Sequence, residues 1–268
     1  MRSAVCLSGQ MRTYRICYEN LCRYILEPYS PDVFIHTWKN TGVTHHIEDL
    51  IPRSSFNRQY IVEDNEVTYE GLDKLYSPKL CVIEEFVEGY TEELDGRRVP
   101  KILKEKESKH YKGSLPMFYK MKKCNELKQE WENRRDFIYD IVIRLRPDLM
   151  IKERIPKEVC EDSNTLWYSD YAINKSLQVS DKFAISSSKV MDYYTSVWDF
   201  INNYWKNPLG DGTWETYRVG ERLMKFHIDR GPFAAKPFSI ECYIEREKPI
   251  PKGFISKVSE LLMGIIKS

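Results

Sequence analysis

Short apolar segments alternate along this chain with stretches of helical periodicity, and this alternation constrains the fold more than any other feature. The runs Ser3–Leu7, Asp32–Ile35 and Leu80–Ile83 each predict a short buried strand. A helical pattern over 11–26, ending before Pro28, follows the first run. Because strands interleaved with helices pair in parallel, the sequence predicts an α/β fold with a mostly parallel central sheet flanked by helices.

The second half of the chain continues this alternation. Tyr139–Ile143 is the clearest strand, since it is apolar on both faces as a central parallel strand should be. A helix from Met117 to about Arg134 precedes it, with Ser114 as its N-cap and Pro116 in its first turn. Further strands are predicted over 59–62, 165–168, 182–185 and 238–244, and further helices over 69–75, 188–202 and 214–226.

The predicted organisation is a single domain over 1–268, because no repeat, linker or change in composition divides the chain. The highly charged segment 88–112 predicts a surface loop. Such a loop is either a solvated connection or a lid that contacts an acceptor, and the sequence leaves both open.

Composition limits the classes of partner and compartment. The 41 basic and 40 acidic residues give a net charge of +1, which does not fit a protein that binds a nucleic-acid backbone. The seven cysteines show no CxxC pair or zinc-like spacing, which indicates free thiols in a reducing, cytoplasmic setting. The sequence has no signal-peptide core and no apolar run of membrane-spanning length, so we expect neither secretion by that route nor a transmembrane helix.

Polar residues after the first strand form the first candidate binding site. In open α/β sheets, ligands bind outside the carboxyl ends of the strands. Ser8, Gly9, Gln10 and Arg12 follow the first apolar run and lead into a helix. The glycine permits close backbone approach, the helix start offers free N–H donors and the arginine adds a cation. This segment is therefore either an ordinary turn or a site that holds a phosphate or a sugar hydroxyl.

Two further polar clusters follow the second strand and the central strand. Trp38 either stacks on a base or sugar or fills the core, and His36 either donates a hydrogen bond to a ligand or is satisfied within the protein. Arg144 and Arg146 follow the central apolar run at a spacing that places them on one face of an extended chain. Because unpaired buried guanidinium groups are costly, these arginines must meet carboxylates or an anionic ligand.

Four segments carry a family resemblance. In chain order they are AVCLSGQMRTY, DVFIHTW, FIYDIVIRLRPDLMI and QVSDKFAISSSKVMDYY, and a helix containing Glu221 extends the similarity to about Ile228. This ordered set resembles a group of viral and bacterial surface-polysaccharide glycosyltransferases and, more distantly, the WavE-type lipopolysaccharide synthesis proteins. The resemblance implies a GT-A-like, Rossmann-like fold with a nucleotide-sugar-binding half (1–150) and an acceptor-binding half (151–250). It also implies a UDP-sugar donor and a glycan, glycolipid or glycoprotein acceptor.

The resemblance also raises the question of a metal. GT-A enzymes hold Mn²⁺ or Mg²⁺ with a DxD motif at the end of a central strand, and the ion neutralises the diphosphate leaving group. The corresponding residues here are Arg146, Pro147 and Asp148, so only the last carboxylate is present. Either Asp148 alone ligates a divalent ion, or Arg144 and Arg146 replace part of its charge.

Asp181 and Glu221 are the candidate catalytic bases, since inverting transfer needs a carboxylate near the acceptor hydroxyl. The alternatives are a turn residue for Asp181 and an ion pair with Lys225 for Glu221. The missing DxD carboxylate also leaves open a catalytically degenerate module that binds a glycan or nucleotide. The absence of GxxxxGK[ST] and GxGxxG segments argues against other phosphate-handling enzymes.

The carboxyl-terminal segment 251–268 predicts an amphipathic helix, because its apolar residues form one stripe. Such a helix either packs on its own domain or lies at a membrane interface, which would make the protein peripheral to a membrane.

Overall fold

The computed structural model describes residues 1–46, 60–85, 93–94, 97–98, 109–162, 164–171, 178–206 and 220–245. Its strands are β1 (Ser3–Gly9), β2 (Asp32–Trp38), β3 (Asn40–His46), β4 (Tyr60–Glu66), β5 (Leu80–Glu84), β6 (Glu93–Leu94), β7 (Arg97–Arg98), β8 (Ile141–Leu145), β9 (Leu149–Ile151), β10 (Thr165–Ser169), β11 (Phe183–Ser186), β12 (Ala234–Phe238) and β13 (Cys242–Ile244). Its helices are α1 (Tyr14–Leu21), α2 (Glu27–Tyr29), α3 (Tyr69–Tyr76), α4 (Lys109–Arg135), α5 (Lys157–Glu161), α6 (Ser188–Thr195), α7 (Val197–Lys206) and α8 (Gly220–Ile228), with a π-helical turn, Cys22–Leu26, between α1 and α2.

The main sheet confirms the predicted fold class. Within the described residues it has seven strands in the order β12-β10-β11-β8-β1-β2-β5. All of them run in parallel except β11, which is antiparallel to both of its neighbours, β8 and β10. Helices flank this mixed α/β sheet, and the arrangement is consistent with a GT-A-like Rossmann fold.

The central strands are apolar on both faces because each face packs under helices. In β1, Ala4 and Cys6 face the cluster that contains α4, while Val5 and Leu7 face the cluster that contains α1. The long helix α4 crosses both β1 and β2. Residues that pair across neighbouring strands therefore point to the same face of the sheet. This shared face brings together the side chains of the site described below.

Three strands end later than predicted. Strand β1 continues to Gly9 and β2 to Trp38, while β8 is shifted by two residues and ends at Leu145. Ser8, His36 and Arg144 therefore lie within strands rather than after them. Every residue of β8 is buried, including Arg144. The hydrophobic pattern ends at the first polar side chain, but the backbone hydrogen bonds between strands continue, and this explains why the predicted strand ends came too early.

Helix boundaries also differ from the predictions. The first helix begins at Tyr14, and helical structure continues through the π-helical turn and past Pro28 to Tyr29. Helix α4 begins at Lys109, so Ser114 is not its N-cap and Pro116 lies inside it. The predicted helix over 188–202 is two helices, α6 and α7.

The smaller sheets correct the pairing expected from the sequence alone. The segment predicted as a strand over 59–62 is β4, which pairs antiparallel with the unpredicted β3 rather than joining the main sheet. The edge strand of the main sheet opposite β5 is β12. The predicted strand 238–244 instead contributes β13, which pairs with β9. Much of the predicted loop 88–112, the start of the predicted helix 214–226 and the helix predicted over 251–268 lie outside the described residues.

Two expectations concern cysteines and membranes. All seven cysteines are free, as the sequence predicts. Among the described helices, none is both long and apolar enough to cross a membrane.

Candidate active site

Arg144 lies at the centre of the predicted site. Strand pairing places it between Cys6 of β1 and Ala184 of β11, on the face of the sheet that α4 covers. The side chain is 1% exposed, and its Nε donates to Ser8 Oγ at 3.3 Å. Its Nη1 has no hydrogen-bond partner among the residues that the structure describes. Burial lowers the pKa of Arg144, although a guanidinium remains charged at neutral pH.

Asp148 is held by two other arginines. Arg146 donates to both of its carboxylate oxygens, from Nε and Nη2, each at 2.9 Å, and Arg12 Nη1 donates to Oδ2 at 2.9 Å. Arg12 has a positive φ of 26°, and its backbone N–H donates to Thr41 O at 2.7 Å. Because Asp148 is completely buried, these arginines provide the charge compensation that a buried carboxylate requires.

Asp181 and Glu221 come together next to these arginines. Asp181 lies just before β11, is 6% exposed, and its Oδ1 has no hydrogen-bond partner within the described part of the chain. The backbone N–H of Val179 donates to the carbonyl of Glu221 at 3.0 Å, which joins this segment to the start of α8. Burial and the nearby Asp181 carboxylate raise the pKa of Glu221. Burial would lower the pKa of Arg146, but Asp148, Asp181 and Glu221 outweigh it and raise that pKa.

The end of β1 leaves open space beside these groups. Gly9 has a φ of +122°, and a Cβ added there would meet no atom of the described residues within 4 Å. Its carbonyl accepts a hydrogen bond from Thr37 Oγ1 at 2.8 Å, which fixes the end of β1 against β2. Gln10 packs tightly on Gly42, where an added Cβ would lie 2.6 Å from the Gln10 Cδ. A ligand can therefore approach the Gly9 backbone, as the sequence predicts for a binding turn.

A second cluster lies at the carboxyl ends of β2 and β5, centred on Lys120 of α4. Its Nζ donates to Thr37 O at 2.8 Å and to Glu84 Oε2 at 2.6 Å, and lies 3.3 Å from the centroid of the Trp38 ring. Tyr119 stacks on Trp38, and its hydroxyl donates to Glu84 Oε1 at 2.9 Å. Trp38 is 2% exposed, so in this structure it fills the core.

His36 belongs to this second cluster. Its Nε2 lies 3.6 Å from Glu84 Oε1, and its Nδ1 has no partner among the described residues. Burial, together with the charges of Lys120 and Lys123, lowers the pKa of His36 to about 2, so its ring is neutral at physiological pH. Burial also lowers the pKa of Lys120 to about 8, against the opposing effect of Glu84.

The structure divides the predicted site residues between these two clusters. The first brings together Ser8, Arg12, Arg144, Arg146, Asp148, Asp181 and Glu221, and the second contains His36 and Trp38. Sequence reasoning missed Glu84 and Lys120. Glu84 directly follows an apolar run and could have been found by the criterion applied to the other strands. Lys120 lies within a helix among other lysines, and no local signal distinguishes it.

Comparison with known proteins gives little further guidance. No protein family matches the sequence, and no curated protein matches it. Among solved structures, the chain is similar to the crystal structure of a glycosyltransferase involved in the glycosylation of the major capsid of PBCV-1. The two are 9% identical with a TM-score of 0.39, over 89% of this chain and 83% of that one. At this level of similarity, function rests on the residues of the site.

Proposed function

We propose that this protein is a glycosyltransferase that moves a sugar from a nucleotide-sugar donor, a UDP-sugar, to a glycan, glycolipid or glycoprotein acceptor. One observation carries the proposal. Arg144 is buried at the carboxyl end of the central strand, and its Nη1 has no partner among the described residues. The Asp181 carboxylate favours the charged form of Arg144, but no ion pair joins the two among the described residues, and we infer that an anion arriving with the ligand completes the charge compensation.

A diphosphate suits this position. Arg144 supplies a charged donor, Ser8 fixes its Nε, and the backbone of Gly9 faces open space beside it. Fixed cations at the leaving group stabilise the charge that develops as the bond between sugar and diphosphate breaks. The resemblance of the strand-end motifs to glycosyltransferases supports the same assignment.

Asp181 is the group that we assign as the catalytic base. In the proposed reaction, an acceptor hydroxyl attacks the anomeric carbon and its proton passes to Asp181. The bond to the diphosphate breaks, and its electron pair leaves with the phosphate oxygen near Arg144. The unpartnered Oδ1 of Asp181 is available to accept this proton. Burial and the Asp181 carboxylate raise the pKa of Glu221, which lies beside Asp181, and we assign Glu221 to positioning Asp181.

Asp148 is a poor fit to a divalent metal ion. Both of its oxygens accept hydrogen bonds from guanidinium groups, and the residue has no exposed surface. The described residues also contain no group of three or more His, Cys, Asp or Glu side chains arranged for a metal. We therefore propose the second of the two alternatives raised by the sequence, in which Arg144 and Arg146 replace the metal and neutralise the charge of the diphosphate.

A thermal-shift panel tests the proposal directly. The protein is melted with UDP-, GDP- and CMP-sugars, each with and without Mn²⁺. Binding at a hundredfold excess over Kd stabilises the native state by about 2.7 kcal/mol, so the UDP-sugar should raise Tm by several degrees without the metal. Arg144→Met should reduce this stabilisation to about 0.4–1.4 kcal/mol, because we expect its Kd to rise 10- to 100-fold. Arg230→Met, at an arginine that lies over the Phe226 ring, is the matched control and should retain it.

Turnover separates the enzyme from a degenerate binding module. Asp181→Asn should retain the thermal shift with the donor and abolish sugar transfer, because it removes the base and keeps the shape of the side chain. Equal turnover in Asp181→Asn and the parent protein would refute its assignment as the base. Binding without transfer in the parent protein would favour the degenerate module.

A further inference from the structure

A cavity of about 550 Å³ lies at the amino-terminal edge of the main sheet, opposite the proposed active site. Its walls include Ser3 and Asp32, the first residues of β1 and β2, and Lys79, just before β5. Its volume is within the range of roughly 300–1,000 Å³ that is typical of small-molecule pockets. The proposed transfer reaction makes no use of this cavity.

Two guanidinium groups in the wall lie over aromatic rings. Arg2 lies over Phe137, with its guanidinium carbon 4.5 Å from the ring centroid, and Arg135 lies over Trp131 at 4.8 Å. Neither guanidinium has a carboxylate partner within the described ranges. Stacking restricts these long side chains and leaves their N–H groups available for an anion. The neighbouring Arg134, by contrast, forms an ion pair with Glu130.

The charge of the lining favours a doubly charged anion. The lining contains three cationic side chains and one carboxylate, Asp32, which gives an excess of two positive charges. Asp32 is itself occupied, since it accepts from the Tyr139 hydroxyl at 2.6 Å and lies 3.4 Å from the Lys79 Nζ. The helix dipole places about half a negative charge at the carboxyl end of α4, near Arg135, and this opposes an anion only weakly. The side-chain charges therefore decide the sign of the site.

We propose that this cavity binds a small phosphate monoester with a planar aromatic body. A phosphate monoester carries a charge of about −1.5 to −2 at pH 7, which matches the excess in the lining. Its oxygens would accept from Arg2 and Arg135. Tyr29 and Tyr139 supply further aromatic wall for a flat ring.

Calorimetry with phenyl phosphate on the full chain tests this proposal. We expect a submillimolar Kd, and inorganic phosphate alone should bind at least tenfold more weakly because it lacks the aromatic body. Arg135→Gln should weaken binding about tenfold, through the loss of a charge-assisted hydrogen bond. Arg134→Gln is the matched control at the next position and should bind as the parent does.

A further variant separates this cavity from the proposed active site. Arg144→Met should leave the affinity for phenyl phosphate unchanged, whatever it does to donor binding. The proposal is overturned if phenyl phosphate gives no binding up to about 10 mM, a concentration far above the expected Kd. It is equally overturned if Arg135→Gln binds as the parent does, or if Arg144→Met abolishes the binding.

Discussion

Replacing Arg144 by methionine should separate function from stability. The variant loses one long hydrogen bond, to Ser8 Oγ at 3.3 Å, which is worth roughly 0.5–1.5 kcal/mol. It also removes a fully buried cation that has no ion pair within the described structure, and methionine fills a similar volume. Burial of a cation that has no direct ion pair opposes folding, so its removal should keep the free energy of unfolding constant or raise it.

The same substitution should lower the affinity for the donor. A hydrogen bond from a charged donor to a phosphate contributes about 1.5–3 kcal/mol, so the Kd for the UDP-sugar should rise roughly 10- to 100-fold. Urea denaturation measures the first quantity and calorimetry measures the second.

Arg146→Met is the matched comparison for this test. It leaves the buried Asp148 with Arg12 alone, so it should lower the free energy of unfolding by about 3 kcal/mol. The reasoning fails if Arg144→Met is destabilised as much as Arg146→Met, because Arg144 would then be structural. It fails equally if the donor affinity of Arg144→Met is unchanged.

Three further outcomes are expected. Burial lowers the pKa of His227 to about 4 from an ordinary value of 6.5. Between these two pH values the unfolded state binds a proton that the folded state does not. The free energy of unfolding should therefore fall by about 3 kcal/mol as pH drops from 6.5 to 4. Denaturation across this range should show a shallower slope in His227→Gln, and an equal slope would contradict the assignment. Lys120→Met should lower the free energy of unfolding by about 2 kcal/mol, because it leaves Glu84 without its cation. Adding Glu84→Gln should recover part of that loss in a double-mutant cycle. Strict additivity of the two changes would mean that the pair does not interact. Sugar transfer should persist in EDTA, because arginines are proposed to neutralise the charge of the diphosphate. A rate that falls with the chelator would instead restore Asp148 as a metal ligand.

The sequence was most informative where a signal is local. Strands β1 and β8 are apolar on both faces, and this alone predicts a central position in a mostly parallel sheet. Strand ends were less accessible, because Arg144 interrupts the apolar pattern although the backbone ladder continues past it. The antiparallel pairing of β3 with β4 was also missed, since register and partner are set between segments.

The candidate site shows the same division between local and long-range information. The sequence by itself determined the α/β class and the polar residues at the carboxyl ends of the strands, because both follow from the hydrophobic pattern along a short segment. Only the tertiary structure decided the partners of those residues. Arg12 meets Asp148 across 136 positions of sequence, and Lys120 of α4 meets Glu84 at the end of β5. Burial and distance set the charge that each group carries, and neither quantity exists until the chain has folded.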